Sequence, residues 1–158
     1  MFNGIIFNQG IVHKIYKRKK GINLFVKSNL SLKSKDLGIS ISCDGVCLTL
    51  VSKKNKLLEF YLSNETLNRS KFKKIIKGDV INLELPLKKG QDISGHICQG
   101  HVDYVGTVKK IKLIDKSYLV EFSANSSQKS SLIEKASILI NGVSLKYPKL
   151  LKMVLKYG

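Results

Sequence analysis

Ser40-Ile41-Ser42-Cys43-Asp44-Gly45-Val46-Cys47-Leu48-Thr49 is answered, 97 residues on, by Ser137-Ile138-Leu139-Ile140-Asn141-Gly142-Val143-Ser144-Leu145-Lys146. Each stretch sets two short β-forming runs around an Asp-Gly or Asn-Gly pair, the dipeptides that tolerate the positive φ of a two-residue hairpin turn. Two more blocks keep nearly the same period. Gly4-Ile5-Ile6 lies 96 residues before Gly100-His101-Val102, and Gly10-Ile11-Val12 lies 96 before Gly106-Thr107-Val108. One matching hairpin could be chance. Three blocks in register read as two copies of one small β domain, and a period this long is not that of a solenoid.

Outward from the hairpin the same pattern continues. Short alternating or apolar runs occur at 10–16, 22–27, 39–42, 48–53, 57–62 and 79–85, separated by turns rich in Gly, Asn, Ser and Lys. This spacing suggests an all-β barrel or sandwich. One short helix is expected after Asn64, where Glu65-Thr66-Leu67 leads to Phe72 and Ile75-Ile76. Pro86, Gly90 and Gly95 mark a connection, and strand-like runs resume at 106–113 and 118–122. The expected domains are 1–94 and 95–158. By the plan of the first copy, the second lacks the strands matching 57–62 and 79–85 and the helix between them. It should therefore be an incomplete barrel with an unpaired edge.

Composition narrows the function classes. The chain has 158 residues, 43% of them apolar, enough for one ordinary domain or two small ones with a buried core. No apolar run approaches the roughly 18–20 residues that cross a bilayer. Met1-Phe2-Asn3-Gly4-Ile5-Ile6 has no basic segment leading into an apolar stretch, which argues against secretion. Cys43, Cys47 and Cys98 are too few and too odd in number for a disulfide framework, so a reducing, cytoplasmic setting is expected. The net charge of +17 would suit a nucleic acid or an acidic membrane. Only Arg18 and Arg69 are arginine, however, and the lysines are dispersed. Readers of nucleic acid also use Arg for bidentate phosphate and guanine contacts. Abundant Lys, Ile and Asn are what A/T-rich coding favours, so the charge reads as a solvated surface, with neither nucleic acid nor membrane as partner.

The ordered motifs resemble the riboflavin synthase family in its tandem lumazine-binding form. They are Met1-Phe2-Asn3-Gly4-Ile5-Ile6, Asp44-Gly45-Val46-Cys47-Leu48-Thr49, Asn64-Glu65-Thr66-Leu67, Gly78-Asp79-Val80-Ile81-Asn82-Leu83-Glu84, Gly95-His96-Ile97-Cys98-Gln99-Gly100-His101-Val102-Asp103 and Asn141-Gly142-Val143-Ser144-Leu145. Each alone is weak; their order and spacing are specific. The resemblance implies tandem six-stranded Greek-key barrels in a homotrimer, with a site where one subunit's first barrel meets a neighbour's second. For a chain with a short second barrel, a dimer of first barrels is the alternative. Lumazine synthase is a further partner the resemblance suggests. The implied reaction is the dismutation of two 6,7-dimethyl-8-ribityllumazine molecules by four-carbon transfer, giving riboflavin and 5-amino-6-ribitylamino-uracil, with no cofactor.

The residue types suit that chemistry. The 7-methyl protons of the substrate are acidic because the conjugated ring spreads the negative charge. A protein need only hold two rings face to face, accept a proton and stabilise an anion, and positioning alone can contribute about 7–11 kcal/mol. The resemblance implies Cys47, His101 and Ser40 as catalytic. It implies Gly4, Ile5, Ile6, Cys47, Leu48, Thr49, Leu62, Glu65, Thr66, Gly100, His101, Val102, Lys135 and Ser144 as substrate-binding. Each has a plainer reading: a lone strand Cys is usually core, a lone His usually structural, and Glu65-Thr66 a helix start. His96-x-Cys98-x-x-His101 could seed a zinc site, but no fourth ligand cluster accompanies it, so no metal is expected.

Two departures bear on activity. Lys146 stands where the family continues Ser-Leu with Thr, and the tail 146–158 places Pro148 where a strand should continue. Back-translated with A/T-rich codons and shifted by one base, the tail encodes a strand–turn–strand with an Asn-Gly turn, so it reads as a frameshift product. Two alternatives to the enzyme follow. One is a non-catalytic lumazine- or flavin-binding module left by a damaged second barrel. The other is a basic nucleic-acid-binding barrel, for which exposed aromatics among the lysines are lacking.

Overall fold

The computed structural model describes residues 1–115, 117–123, 132–146 and 152–156, the last of these as backbone alone. Six strands form a closed antiparallel barrel: β1 (Asn8–Arg18), β2 (Gly21–Ser28), β3 (Ser40–Cys43), β4 (Val46–Lys54), β5 (Leu57–Ser63) and β6 (Val80–Glu84). Their order is β1-β2-β5-β4-β3-β6, and β6 closes onto β1 with Gly10 opposite Ile81. The alternation read from the sequence sets which way each side chain points. Val46, Leu48 and Leu50 of β4 enter the core, while Cys47 and Thr49 face outward. Leu24 and Val26 of β2, Leu58, Phe60 and Leu62 of β5, and Ile81 and Leu83 of β6 fill the interior.

The Asp44-Gly45 turn has φ of 47° and 84°, the positive pair that a two-residue turn needs. Asn141-Gly142 repeats it at 47° and 81°. The expected helix is shorter than its apolar spacing suggests. Ser63 caps α1 (Asn64–Arg69), its Oγ accepting from the Thr66 N–H at 3.2 Å. Ser70 then ends it, its own Oγ donating to the Thr66 carbonyl at 2.6 Å. A single 3₁₀ turn, Lys71–Lys74, follows and buries Phe72 in the barrel core, and Ile75 is already extended. The break at Ser70 is what lets Phe72 turn inward.

The chain divides into two compact units, one made of 1–103 with 139–144, the other of 104–138 with 145–158. In the second unit β7 (Thr107–Ile114), β8 (Ser117–Ser123) and β11 (Lys152–Lys156) form an open antiparallel sheet in the order β11-β8-β7. β9 (Ser137–Ile140) and β10 (Val143–Lys146) form a hairpin. The repeat extends to irregularities. The register slips between Val12 and Lys14 in β1 and between Val108 and Lys110 in β7, equivalent places in the two copies.

The tail corrects one expectation. β11 pairs with β8 as β5 pairs with β2, so a strand stands where the second copy was expected to lack one. Pro148 does not prevent it because the pairing begins at Lys152, beyond the proline. No counterpart of β6 or of α1 occurs among the described residues, and the second barrel is incomplete there. Residues 147–151, 157 and 158, which the frameshift reading also concerns, lie outside the described residues.

Candidate functional site

The outward face of β6, β3 and β4 carries a row of polar side chains. Ser42 lies opposite Cys47 on one side and Glu84 on the other, and Ser40 lies opposite Thr49. Directly opposed residues on an antiparallel ladder sit about 4.5–5.5 Å apart at Cα, so acid, hydroxyl and thiol are neighbours in one line. Of these, Ser40 and Cys47 are half-buried and Thr49 is exposed, while Ser42 and Glu84 are buried.

The segment 95–103 runs across this face. Its anchor is the Cys47 N–H, which donates to the Gly100 carbonyl at 2.9 Å. Cys43 and Val46 close the tight turn, so by ladder alternation Cys47 turns its N–H away from β3. The β4–β5 register starts only at Leu50, which leaves that N–H for Gly100. Gly100 has φ of +83°, and a Cβ there would fall 2.5 Å from the Cys47 Cβ. Glycine at 100 is therefore a requirement of close approach as well as of conformation. His101, the next residue, is exposed, and Val102 packs on the core.

A second constellation mirrors the first. The Ser144 N–H donates to the Gly4 carbonyl at 2.7 Å, Gly4 has φ of +73°, and a Cβ on it would fall 2.6 Å from the Ser144 Cβ. In repeat terms Ser144 stands for Cys47 and Gly4 for Gly100. Each copy thus lays its leading glycine segment on the hairpin of the other. The symmetry continues between them: Phe2 bridges Cys98, its own equivalent, by hydrogen bonds of 2.8 and 3.0 Å. The two turns stack back to back, for a Cβ on Gly45 would lie 2.9 Å from the Gly142 nitrogen.

Asp44 and Asn82 hold this stack. Asp44 Oδ1 accepts from the Asn82 N–H at 2.8 Å, and the Asn82 side-chain amide donates to the Asn141 carbonyl at 2.9 Å. Asp44 Oδ2 meets Lys71 Nζ at 2.7 Å. His96 Nδ1 is 2.7 Å from Ser144 Oγ, and Cys98 Sγ donates to the His96 carbonyl at 3.0 Å. Among the described residues no group of three His, Cys, Asp or Glu is placed to hold a metal. Burial pushes the Cys98 thiol up, helped by the Glu84 carboxylate. Burial pushes Cys43 up further, with Asp44 and Cys47 adding to it.

The expected site residues fall into groups. Gly4 meets Ser144 and Gly100 meets Cys47, Cys47 and Thr49 share the outward face with Ser40, and Ile6 reaches Gly142. Ile5 is half-buried in the same leading segment. Leu48 and Leu62 point into the barrel, so only their backbones are available to a ligand. Glu65 and Thr66 form the first turn of α1; Glu65 is ion-paired with Arg69, and Thr66 Oγ1 lies 3.1 Å from Ser63 Oγ. Because Leu50 lies opposite Phe60, that turn follows β5 at the end of the barrel where β4 begins. Lys135 belongs to the second unit, in a turn with φ of 67°. The sequence gives no site role to Ser42, Glu84 or Asn3, and suggests His96 only as a zinc ligand.

Known proteins now bear on this arrangement. The lumazine binding domain family matches residues 3–86. A riboflavin synthase of Chlamydia muridarum is 37% identical over 92% of this chain and 71% of its own length. One of Buchnera aphidicola is 35% identical over 92% and 69%. The chain belongs to the riboflavin synthase family. Proteins of this family are transferases. Among solved structures, LumP complexed with riboflavin superposes with a TM-score of 0.82 over 99% of this chain and 86% of that one, at 22% identity. LumP complexed with 6,7-dimethyl-8-(1'-D-ribityl) lumazine gives 0.78 at 21%. At such identities these two speak to the fold alone. No helix among the described residues is long and apolar enough to cross a membrane.

Proposed function

We propose that this chain is a riboflavin synthase. It takes two molecules of 6,7-dimethyl-8-ribityllumazine, moves a four-carbon unit from one to the other, and releases riboflavin and 5-amino-6-ribitylamino-uracil. The observation that carries the reading is the doubled constellation. A small nucleophilic or hydroxyl side chain on a hairpin is pressed by a positive-φ glycine from the other repeat, once at Cys47 and Gly100 and once at Ser144 and Gly4. A reaction between two identical substrates asks for two equivalent ring faces, and a duplicated domain supplies them. The hydroxyl groups of exposed Thr49 and half-buried Ser40 and Thr66 suit the ribityl chain and the pteridine edge.

In this reading Cys47, His101 and Ser40 touch the reacting ring. His101 stands free of the barrel immediately after the glycine that packs on Cys47, which suits proton transfer at the 7-methyl group. Lys135 joins the proposed substrate-binding residues on the family resemblance alone. No cofactor is required, since the ring itself carries the carbanion. The working assembly is a homotrimer in the cytoplasm, with lumazine synthase as its upstream partner. Sedimentation of the purified chain tests the assembly, and a monomer would contradict it.

Lys146 favours a second reading. It stands where Thr49 stands in the first repeat, and a long cation there would impair one ring face. The chain would then bind lumazine or flavin without turnover. Mixing the protein with 6,7-dimethyl-8-ribityllumazine and resolving riboflavin by chromatography separates the two: product supports the enzyme, and fluorescence change without product supports the binding module.

A further inference from the structure

We propose that Glu84 is a positioning residue that sets the Gly4-Ile5-Ile6 segment against Ser144; this rests on reading that segment as part of a lumazine face. Glu84 is 8% exposed at the end of β6, and among the described residues no cation pairs with it. Its partners are backbone amides. Oε1 accepts from the Asn3 N–H at 2.6 Å and from the Gly4 N–H at 3.1 Å, and Oε2 accepts from the same Gly4 N–H at 3.1 Å. A buried carboxylate is tolerable only when such donors are fixed around it, and in return it fixes them.

The Gly4 peptides are then held from both sides. The N–H goes to Glu84 and the carbonyl goes to the Ser144 N–H at 2.7 Å. The fit has little slack, since even one added carbon at Gly4 would stand 2.6 Å from the Ser144 Cβ. Glu84 thus reaches the proposed ligand segment across a sequence gap of 80 residues.

The test uses the full chain and the variant Glu84→Gln. Gln keeps the shape and one acceptor but turns an NH₂ group toward amide donors. Glu59→Gln is the control; Glu59 is a half-buried carboxylate on β5 held by Asn23 and Ser52. The readouts are KM and kcat for riboflavin formation (or lumazine affinity by fluorescence) and amide hydrogen exchange at Asn3 and Gly4. Expected for Glu84→Gln are a KM or Kd at least tenfold higher and exchange at both amides at least tenfold faster, with neither moved by Glu59→Gln. Wild-type KM and kcat in Glu84→Gln overturn the inference and leave the function standing. Wild-type protein that neither binds nor converts lumazine removes both. Should Glu84→Gln not fold, Glu84→Asp decides: it keeps the charge but draws the oxygens back by one methylene. The same rise in KM is expected of it, and an unchanged KM overturns the inference.

Discussion

Two glycines set the tolerance of the site. Gly100 combines a left-handed φ with a 2.5 Å approach to Cys47, so Gly100→Ala meets both a conformational and a steric penalty. The conformational part alone is about 1–2 kcal/mol. We expect Gly100→Ala to lower the unfolding free energy by about 2 kcal/mol or more in urea titration, and to raise the KM for lumazine in whatever protein remains folded. The cysteines separate by burial. Cys43 and Cys98 lie inside with their thiols pushed up, whereas Cys47 is half-exposed. A small maleimide at pH 8 should label Cys47 well before the other two in native protein, as read by mass spectrometry; equal labelling would contradict the placement. The raised Cys43 thiol also has a linkage consequence. Above the ordinary thiol pKa of about 8.5 the unfolded chain releases a proton that the folded chain keeps, so stability falls as pH rises past that value. Cys43→Ala should flatten that alkaline slope in unfolding experiments. The equivalence of Cys47 with Ser144 and of Gly4 with Gly100 was legible because the blocks that hold them recur at a nearly fixed period. Glu84 was not, because its partners are backbone amides of Asn3 and Gly4, and backbone donors leave no mark in the side-chain pattern.

The hairpins organise the elements. The Asp44-Gly45 turn accepts from Asn82 through Asp44 Oδ1, and Asn82 passes the link to Asn141. Asp44→Ala leaves the half-buried Asn82 N–H without that acceptor and puts alanine at positive φ. We expect a loss of about 1–3 kcal/mol, with Asp44→Asn losing clearly less, since Asn accepts the conformation and keeps an oxygen. Ser63→Ala removes the α1 cap and should cost about 1 kcal/mol, measured in the same titration. Strand positions were readable because β2 from Ile22 on, β4 up to Leu50 and the whole of β5 alternate around one core. The end of α1 was not, because its apolar spacing through Phe72 and Ile75 continues past Ser70, whose hydroxyl turns back to the Thr66 carbonyl. β11 was missed for a different reason: a proline four residues before a strand says nothing about the strand itself.

For the molecule as a whole, the duplicated barrel plan is preserved in hairpin, bulge and glycine segment, while the two copies are finished unequally. The first repeat closes into a six-stranded barrel; among the described residues the second is a hairpin and an open sheet whose edge strand β7 exposes Val108, Ile111 and Leu113 alongside its lysines. That inequality makes catalysis, rather than fold, the decisive question. The most direct measurement incubates the purified chain with 6,7-dimethyl-8-ribityllumazine and follows riboflavin and 5-amino-6-ribitylamino-uracil by chromatography. Both products in equal amounts, formed faster than in buffer and lost in Cys47→Ala, are the expected result. Lumazine bound with no riboflavin above the uncatalysed level would contradict the assignment as an enzyme.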